Sequence, residues 1–394
     1  LAKKLPQETG NPDAYIRTTN VHSIFLDNTD SREISDIIAL LKNSCSNGHD
    51  DIDSKIVKHV FAEIQNPLTH IFNFSLTTGK FPNDLKLAKV VPIHKGGDKL
   101  SLSNYRPISI LPCFSKILER LMYNRILKFI NKHNILTCNQ YGFRQDHSTY
   151  MALIKLIDQI SEELNNKNYS IGIFIDLSKA SDTIDHNILL RKLSCYGIRG
   201  IALDWITSYL DNRAQFVKID NTVSFKLPIK CGVPQGSILG PLLFILYIND
   251  LVNVTPLANI IMFADDTNLF FTGTDIMKLY ETINIELLKI SHWFTINKLS
   301  LNITKTNYII SNSRTKYHIS SDNNIFLNKV KIERVQATKF VGVIINSNLT
   351  WADHIKTIST KISKSLGIIY RVRNKLPRSC VVNLYNTLIH PNLT

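Results

Sequence analysis

The sequence of 394 residues predicts an α+β fold, on three observations. Long stretches carry apolar residues at helical spacing, and short runs rich in β-branched residues read as strands. The two kinds do not alternate strictly enough for a βαβα chain.

Taken in order, the first 20 residues are polar and irregular. Helical spacing follows at 33–41 and 52–71, the second stretch interrupted by Pro67. A longer helix is predicted over 116–131, where Ile117, Leu118, Leu121, Met122, Ile126, Leu127 and Ile130 form one stripe. Another is expected over 148–164. The apolar run 171–175 reads as a buried strand that ends at Asp176. Helices at 186–196 and 201–210 come next. Residues 215–220 and 223–227 alternate around Asn221-Thr222 and predict a hairpin. The mostly apolar stretch 237–251 predicts a buried helix. Strand-like runs at 260–263 and 268–271 flank Ala264-Asp265-Asp266-Thr267 and predict a second hairpin. An amphipathic helix over 275–298 follows. Strands are expected at 307–311, 325–332 and 340–345, and basic helices at 351–373 and 379–389.

Composition narrows the function classes. Hydrophobic residues make up 44% of the chain, which opposes global disorder. Six scattered cysteines form no CxxC pair, so neither a zinc knuckle nor a disulfide framework is indicated, and reduced thiols suit an intracellular compartment. The longest apolar run, around 239–248, contains Pro241 and is too short to span a bilayer. No signal peptide opens the chain, and both ends read as cuts through a longer protein. The formal charge of +14 favours a polyanionic partner. It is unevenly placed: residues 1–150 carry +5, residues 151–288 carry −4 and residues 289–394 carry +13. A carboxylate-bearing site beside a phosphate-tracking surface would have that layout.

Two segments carry the chemistry. FIDLSKASDTIDH (174–186) ends a buried strand on Asp176, and FADDTNLF (263–270) sets Asp265 and Asp266 at a hairpin turn. A carboxylate at the end of an apolar strand is costly unless paired, solvated or bound to a cation. Two adjacent aspartates repel, which also favours a cation, although Asp-Asp is ordinary turn chemistry as well. If the strands are neighbours, the three carboxylates converge, and hard oxygen ligands of this kind suit Mg²⁺. Two such ions can serve phosphoryl transfer.

With these motifs in view, the chain resembles the reverse transcriptase domain of non-LTR (LINE-type) retrotransposons, particularly the jockey-like elements. The resemblance runs from about Ser23 to the end of the chain. It rests on IFNFSLTTGKFPNDLKLAKVVPIHKGGD (71–98), NYRPISILPCFSKILERL (104–121), QYGFRQDHST (140–149), GVPQGSILGPLLFILYINDL (232–251), FADDTNLF, NKLSLNITKTNYII (297–310) and KFVGVIINSNLTW (339–351).

The resemblance implies a right-hand polymerase. It divides the chain into a linker over 1–22 from a missing upstream region, an N-terminal extension and fingers over 23–170, and a palm over 171–349. Residues 201–258 would return partly to the fingers, and 350–394 would begin a truncated thumb. It implies RNA-directed DNA polymerase activity, with an RNA template, a DNA primer, dNTP and two Mg²⁺ ions, for which Mn²⁺ can substitute. No membrane is implied; an upstream endonuclease domain and a nuclear site of action are.

Residue by residue, Asp176, Asp265 and Asp266 match the catalytic, metal-holding carboxylates, and Leu177 would add its carbonyl to the metal. Lys95 and Arg106 match the finger residues that grip the triphosphate, a role that suits a planar guanidinium. Lys179, Ala180 and Ser181, with Gln235 and Gly236 of the PQG turn, would line the nucleotide. Lys305 matches a general acid toward pyrophosphate. Phe340, Val341 and Gly342 match the primer grip. Arg144, Lys356, Lys361, Lys364, Arg371 and Arg373 would contact nucleic acid.

One position departs from the family. Its first catalytic motif reads D-x-x-x-A-F-D, with an aromatic steric gate under the sugar; here that place is Ser181. A site lacking bulk discriminates poorly against an added hydroxyl. The departure admits weakened dNTP selectivity, a degenerate or co-opted copy that binds RNA without catalysis, or another palm polymerase such as an RNA-dependent RNA polymerase. The PQG and FADD motifs oppose the last, and the three intact aspartates oppose the second.

Overall fold

A computed structural model describes residues 10–17, 19–43, 47–311 and 323–393. The polar stretch read as a linker lies, where described, against the body of the protein. Asp13 pairs with Arg191, the Tyr15 carbonyl accepts from Asn253, and the Asn20 carbonyl accepts from Arg199. Residues 1–9 and 18 lie outside the described residues.

Helices α1 (Ser31–Leu40) and α2 (Ser54–Thr78) begin on aspartate caps, Asp30 accepting from the Glu33 amide and Asp53 from the Ile56 amide. Helix α2 continues through Pro67 beyond the predicted end at 71. Leu68, Phe72 and Leu76 are buried past the proline, and that packing outweighs one missing amide bond.

Strands β1 (Leu87–His94) and β2 (Tyr105–Ile110) are antiparallel neighbours that the apolar pattern does not predict. Each holds a proline, which suppresses the strand signal. Pro92 and Pro107 face each other in the register, at a pair where neither amide has to donate. Helices α3 (Cys113–Lys132) and α4 (Thr149–Asn165) follow, close to their predicted spans.

Strand β3 (Tyr169–Ile175) is buried along its whole length. Helices α5 (His186–Cys195) and α6 (Ile201–Leu210) come next. The predicted hairpin is β4 (Ala214–Ile219) with β5 (Thr222–Val223), and β6 (Leu227–Pro228) also pairs with β4. Strand β4 runs parallel to β1, so β1, β2, β4, β5 and β6 form one sheet.

Helix α7 (Gly240–Tyr247) is shorter than the predicted 237–251. The Ser237 hydroxyl accepts from the Gly240 amide at 3.0 Å and starts the helix late, and a 3₁₀ turn replaces its end. Strands β7 (Asn259–Phe263) and β8 (Asp266–Gly273) form the second predicted hairpin, followed by α8 (Ile276–Ile296) and β9 (Asn307–Ser311).

The single strand expected at 325–332 is a hairpin of β10 (Phe326–Leu327) and β11 (Val330–Lys331), because Asn328 and Lys329 take φ of 52° and 64°. The one expected at 340–345 is likewise a hairpin, β13 (Ala337–Phe340) and β14 (Val343–Asn346), after β12 (Glu333–Arg334). Helices α9 (Ala352–Val372) and α10 (Arg378–Leu388) follow, and a 3₁₀ turn over His390–Asn392 ends the described chain.

The second five-stranded sheet has the order β12-β9-β3-β8-β7, so β3 lies at its centre. Helices α3, α5, α6, α7 and α8 contribute to a continuous apolar core against it. Two charged groups are embedded there. Lys192 Nζ lies 2.5 Å from Asp250 Oδ1 and donates to the Tyr247 carbonyl at 2.8 Å, while Trp293 Nε1 donates to Asp250 at 3.2 Å. Both charged side chains are sealed from water.

Asp250→Ala leaves Lys192 as an uncompensated buried cation and should lower the unfolding free energy by about 3–5 kcal/mol in urea titrations. A loss under about 1 kcal/mol, as at an exposed pair, would contradict the embedded pairing.

Candidate active site

The β3–β8 register fixes the centre of the site. Ile175 faces Thr267, so Asp176 leaves β3 beside Asp266 as that residue enters β8. Phe263 faces Asp266 across the β7–β8 hairpin, with Ala264 and Asp265 as its two-residue turn. The burial of β3, β7 and β8 thus carries three carboxylates to one end of one sheet.

Their proximity has an electrostatic signature. The Asp266 carboxyl is pushed up to about 6, first by loss of surrounding water and then by the charges of Asp265 and Asp176, with Lys339 acting against them. Asp265 and Asp266 remain exposed while Ala264 beside them is buried, so a ligand can reach these two carboxylates.

Asp176 is held on three sides. Its amide donates to Thr306 Oγ1 at 3.3 Å, its carbonyl accepts from the Asn302 amide at 2.8 Å, and Oδ2 accepts from Asn302 Nδ2 at 2.8 Å. Leu177 bridges Leu301 through the Asp176 carbonyl and the Ser178 amide, so the bonds of that bridge do not use the Leu177 carbonyl. Lys305 is exposed on the turn between Asn302 and β9, at the Asp176 end of the sheet.

A second cluster adjoins the first. Lys179, at φ 53°, leads into a 3₁₀ turn over Ala180–Asp182. The Val233 amide donates to the Ser181 carbonyl at 2.9 Å, and Gln235 Nε2 donates to Asp182 Oδ1 at 2.8 Å. Burial raises the Asp182 carboxyl, against the Gln235 bond and the charges of Lys179 and Lys95. Lys95 is therefore within electrostatic reach of this turn. The Ser109 amide donates to the Gln235 carbonyl at 2.7 Å, docking the PQG turn on β2. Gly236, at φ 122°, lies so close that an added Cβ would stand 2.5 Å from the Ser109 carbonyl oxygen. Arg106 is exposed on the same strand, opposite Ile93.

The remaining predicted residues are more dispersed. Phe340 is buried with its ring 6.4 Å from that of Phe174, so the β13–β14 hairpin packs on the sheet behind the carboxylates, with Val341 and Gly342 at its turn. Arg144 NH1 donates to the carbonyls of Thr137, at 2.7 Å, and Gln140, at 3.2 Å, bracing its own loop. Lys356, Lys361, Lys364 and Arg371 are exposed on α9, and Arg373 lies 4.2 Å over the Tyr370 ring just past it. Two concavities of 670 and 620 Å³ lie elsewhere, against residues 23–28 and 80–83 respectively, and touch none of the carboxylates.

Sequence reasoning missed Asn302, Asp182, Lys339 and Gln140. All sit inside or beside recognised motifs, but their partners are distant in the chain, so spacing alone carries no signal for them.

The three carboxylates suit a divalent cation in donor type: hard, mutually repelling oxygens at one end of one sheet. Among the described residues, no group of three or more His, Cys, Asp or Glu side chains is placed so that it could by itself hold a metal ion. Asp176 Oδ2 is instead engaged with Asn302. An ion that shares substrate phosphates and waters needs no complete protein cage.

The raised Asp266 carboxyl has a consequence for stability in the absence of divalent cations. From about pH 4 to about 6 the folded chain keeps a proton that the unfolded chain has released, so stability falls as pH rises through that window. Asp266→Asn removes the effect. In thermal scans with EDTA, its melting temperature should gain on the wild type between pH 4 and pH 7; a constant difference would contradict the coupling.

Comparison with known proteins agrees with this geometry. Residues 93–345 match the family described as reverse transcriptase (RNA-dependent DNA polymerase). The RNA-directed DNA polymerase from mobile element jockey of Drosophila melanogaster is 30% identical over 97% of this chain and 42% of its own length. The probable RNA-directed DNA polymerase from transposon X-element of the same organism is 27% identical over 91% of this chain and 40% of its own. That from transposon BS is 29% identical over 84% of this chain and 37% of its own. The chain thus spans about two fifths of the relatives it matches. With the three aspartates gathered at one end of the central sheet and most of the chain inside the match, this protein belongs to the reverse transcriptase family.

Proposed function

We propose that the chain is the polymerase region of a non-LTR retrotransposon protein, an RNA-directed DNA polymerase that copies the element's RNA into DNA. The observation that carries the proposal is the meeting of Asp176, Asp265 and Asp266 at one end of the sheet. In such a chain the 3′-hydroxyl of a DNA primer loses its proton to solvent, and its oxygen bonds to the α-phosphorus of a dNTP. The bond from that phosphorus to the β-phosphate oxygen breaks, and pyrophosphate leaves.

Each part of the site has a role in this reaction. Asn302 orients the Asp176 carboxylate through its 2.8 Å bond. Lys95 and Arg106, at the β1–β2 end, bring cationic donors to the triphosphate, and Lys179 adds a third. Gln235, fixed by Asp182 and Ser109, and Gly236 offer a flat backbone surface to the nucleotide and template. Lys305, as an ammonium, gives a proton to the departing pyrophosphate. The hairpin at Phe340, Val341 and Gly342 supports the primer end. The cations of α9 follow the phosphates of the hybrid, which makes binding fall with salt. Mg²⁺ ions held by the three aspartates and the Leu177 carbonyl, with Mn²⁺ as a substitute, would supply Lewis-acid activation and neutralise phosphate charge.

The wider setting of the proposal is a parent chain carrying an endonuclease, acting in the nucleus on a nicked DNA primer. Among the described residues no helix is long and apolar enough to cross a membrane.

On poly(rA)/oligo(dT) with Mg²⁺, the wild type should extend the primer, and Asp265→Ala/Asp266→Ala should lose on the order of 10³-fold or more. Folded wild-type protein without extension would overturn the proposal. Ser181 should make the enzyme permissive toward ribonucleotides. Ser181→Phe should raise the dNTP-over-rNTP ratio of kcat/KM by roughly tenfold or more, and an unchanged ratio would remove Ser181 from the gate.

A further inference from the structure

The catalytic turn has an unusual backbone. Ala264, the residue before Asp265, takes φ 55°, while the other residue of this two-residue turn is not in that region. A hairpin turn with positive φ only at its first position favours glycine there, because a Cβ is strained in that conformation. The strain sits next to two of the three carboxylates, so something must hold the turn in place.

The loop over 139–142 does so. It pairs with the free edge of β7: the Met262 amide donates to the Asn139 carbonyl at 2.9 Å, and the Tyr141 amide to the Met262 carbonyl at 2.8 Å. Between them Gln140 is fully buried, and its Oε1 accepts from the Ala264 amide at 3.0 Å and from the Gly142 amide at 2.8 Å. Two donors converge on that one oxygen, so the carboxamide cannot be turned over without facing N–H with N–H. Gly142 closes the contact, since an added Cβ there would stand 2.2 Å from the Ala264 nitrogen.

We propose that Gln140 is a positioning residue of the polymerase site, holding the strained Ala264 turn so that Asp265 and Asp266 are presented to substrate in one fixed arrangement. The inference rests on the polymerase function proposed above. The chain spends a buried side chain, with its Nε2 left without a partner, on one backbone amide of the catalytic hairpin. A general core role would be served as well by an apolar residue of the same size.

The test uses Gln140→Met, which keeps volume and removes the acceptor, alone and combined with Ala264→Gly. Single-nucleotide incorporation by Gln140→Met should fall roughly 10- to 100-fold in kcat, with little change in the Kd for template–primer. Ala264→Gly should recover at least several-fold of that loss, because glycine adopts φ 55° without the steric strain that the anchor offsets. Hydrogen exchange adds a readout independent of activity: the Ala264 amide should exchange at least tenfold faster in Gln140→Met, with core amides of β3 unchanged. Gln140→Glu, which keeps an acceptor of the same length, should retain the protection and guards against a misfolded methionine variant. Unchanged kcat and unchanged Ala264 exchange in Gln140→Met would overturn the proposal, as would a loss of activity matched by lost template–primer affinity and not relieved by Ala264→Gly. An inactive wild type would instead overturn the polymerase function, and exchange at Ala264 would still decide whether Gln140 anchors the turn.

Discussion

Repulsion among three carboxylates is the constraint on which the rest of this structure depends. Asp176, Asp265 and Asp266 are brought together by strand burial, which has little tolerance for a one-residue slip of β3 against β8, since that would exchange Ile171, Ile173 and Ile175, packed in one core, with Phe174, packed in the other. The Asp266 carboxyl is raised first by burial and then by the charges of Asp265 and Asp176. The surrounding bonds keep the arrangement in place: Asn302 and Thr306 on Asp176, Gln140 on the turn, and the β13–β14 hairpin behind it. The core beneath seals the Lys192–Asp250 pair from water.

The charge layout follows from the same constraint. The segment of net −4 contains the carboxylates, and the segment of net +13 contains α9, whose cations are all exposed. Lys95 and Lys179 act on Asp182, in the turn that follows Asp176. Positive charge thus flanks the acidic centre on the side of the β1–β2 sheet and again in the last quarter of the chain.

Much of this was legible in the sequence. The strand ending at Asp176 and the hairpin at Asp265-Asp266 stand out because short apolar runs stop abruptly at carboxylates. The α6 span and the β9 span agree with the pattern to the residue. Strands β1 and β2 were hidden by Pro92 and Pro107, which a strand tolerates only at particular ladder positions. The turn at Val341-Gly342 was read as strand because a β-branched residue rarely takes a φ of 39°. The contributions of Asn302, Asp182 and Gln140 could not be read at all: each becomes part of the site only when a partner more than 50 residues away folds against it.

The central claim is that the three aspartates form a single unit and not three separate acidic groups. Single-turnover incorporation by Asp176→Asn, Asp266→Asn and the double variant tests it most directly. Residues that act as one unit lose activity non-additively. Each single variant should fall on the order of 10³-fold, and the double should fall at most about tenfold further. Losses that multiply, or an Asp176→Asn enzyme with near-normal rate, would contradict the account.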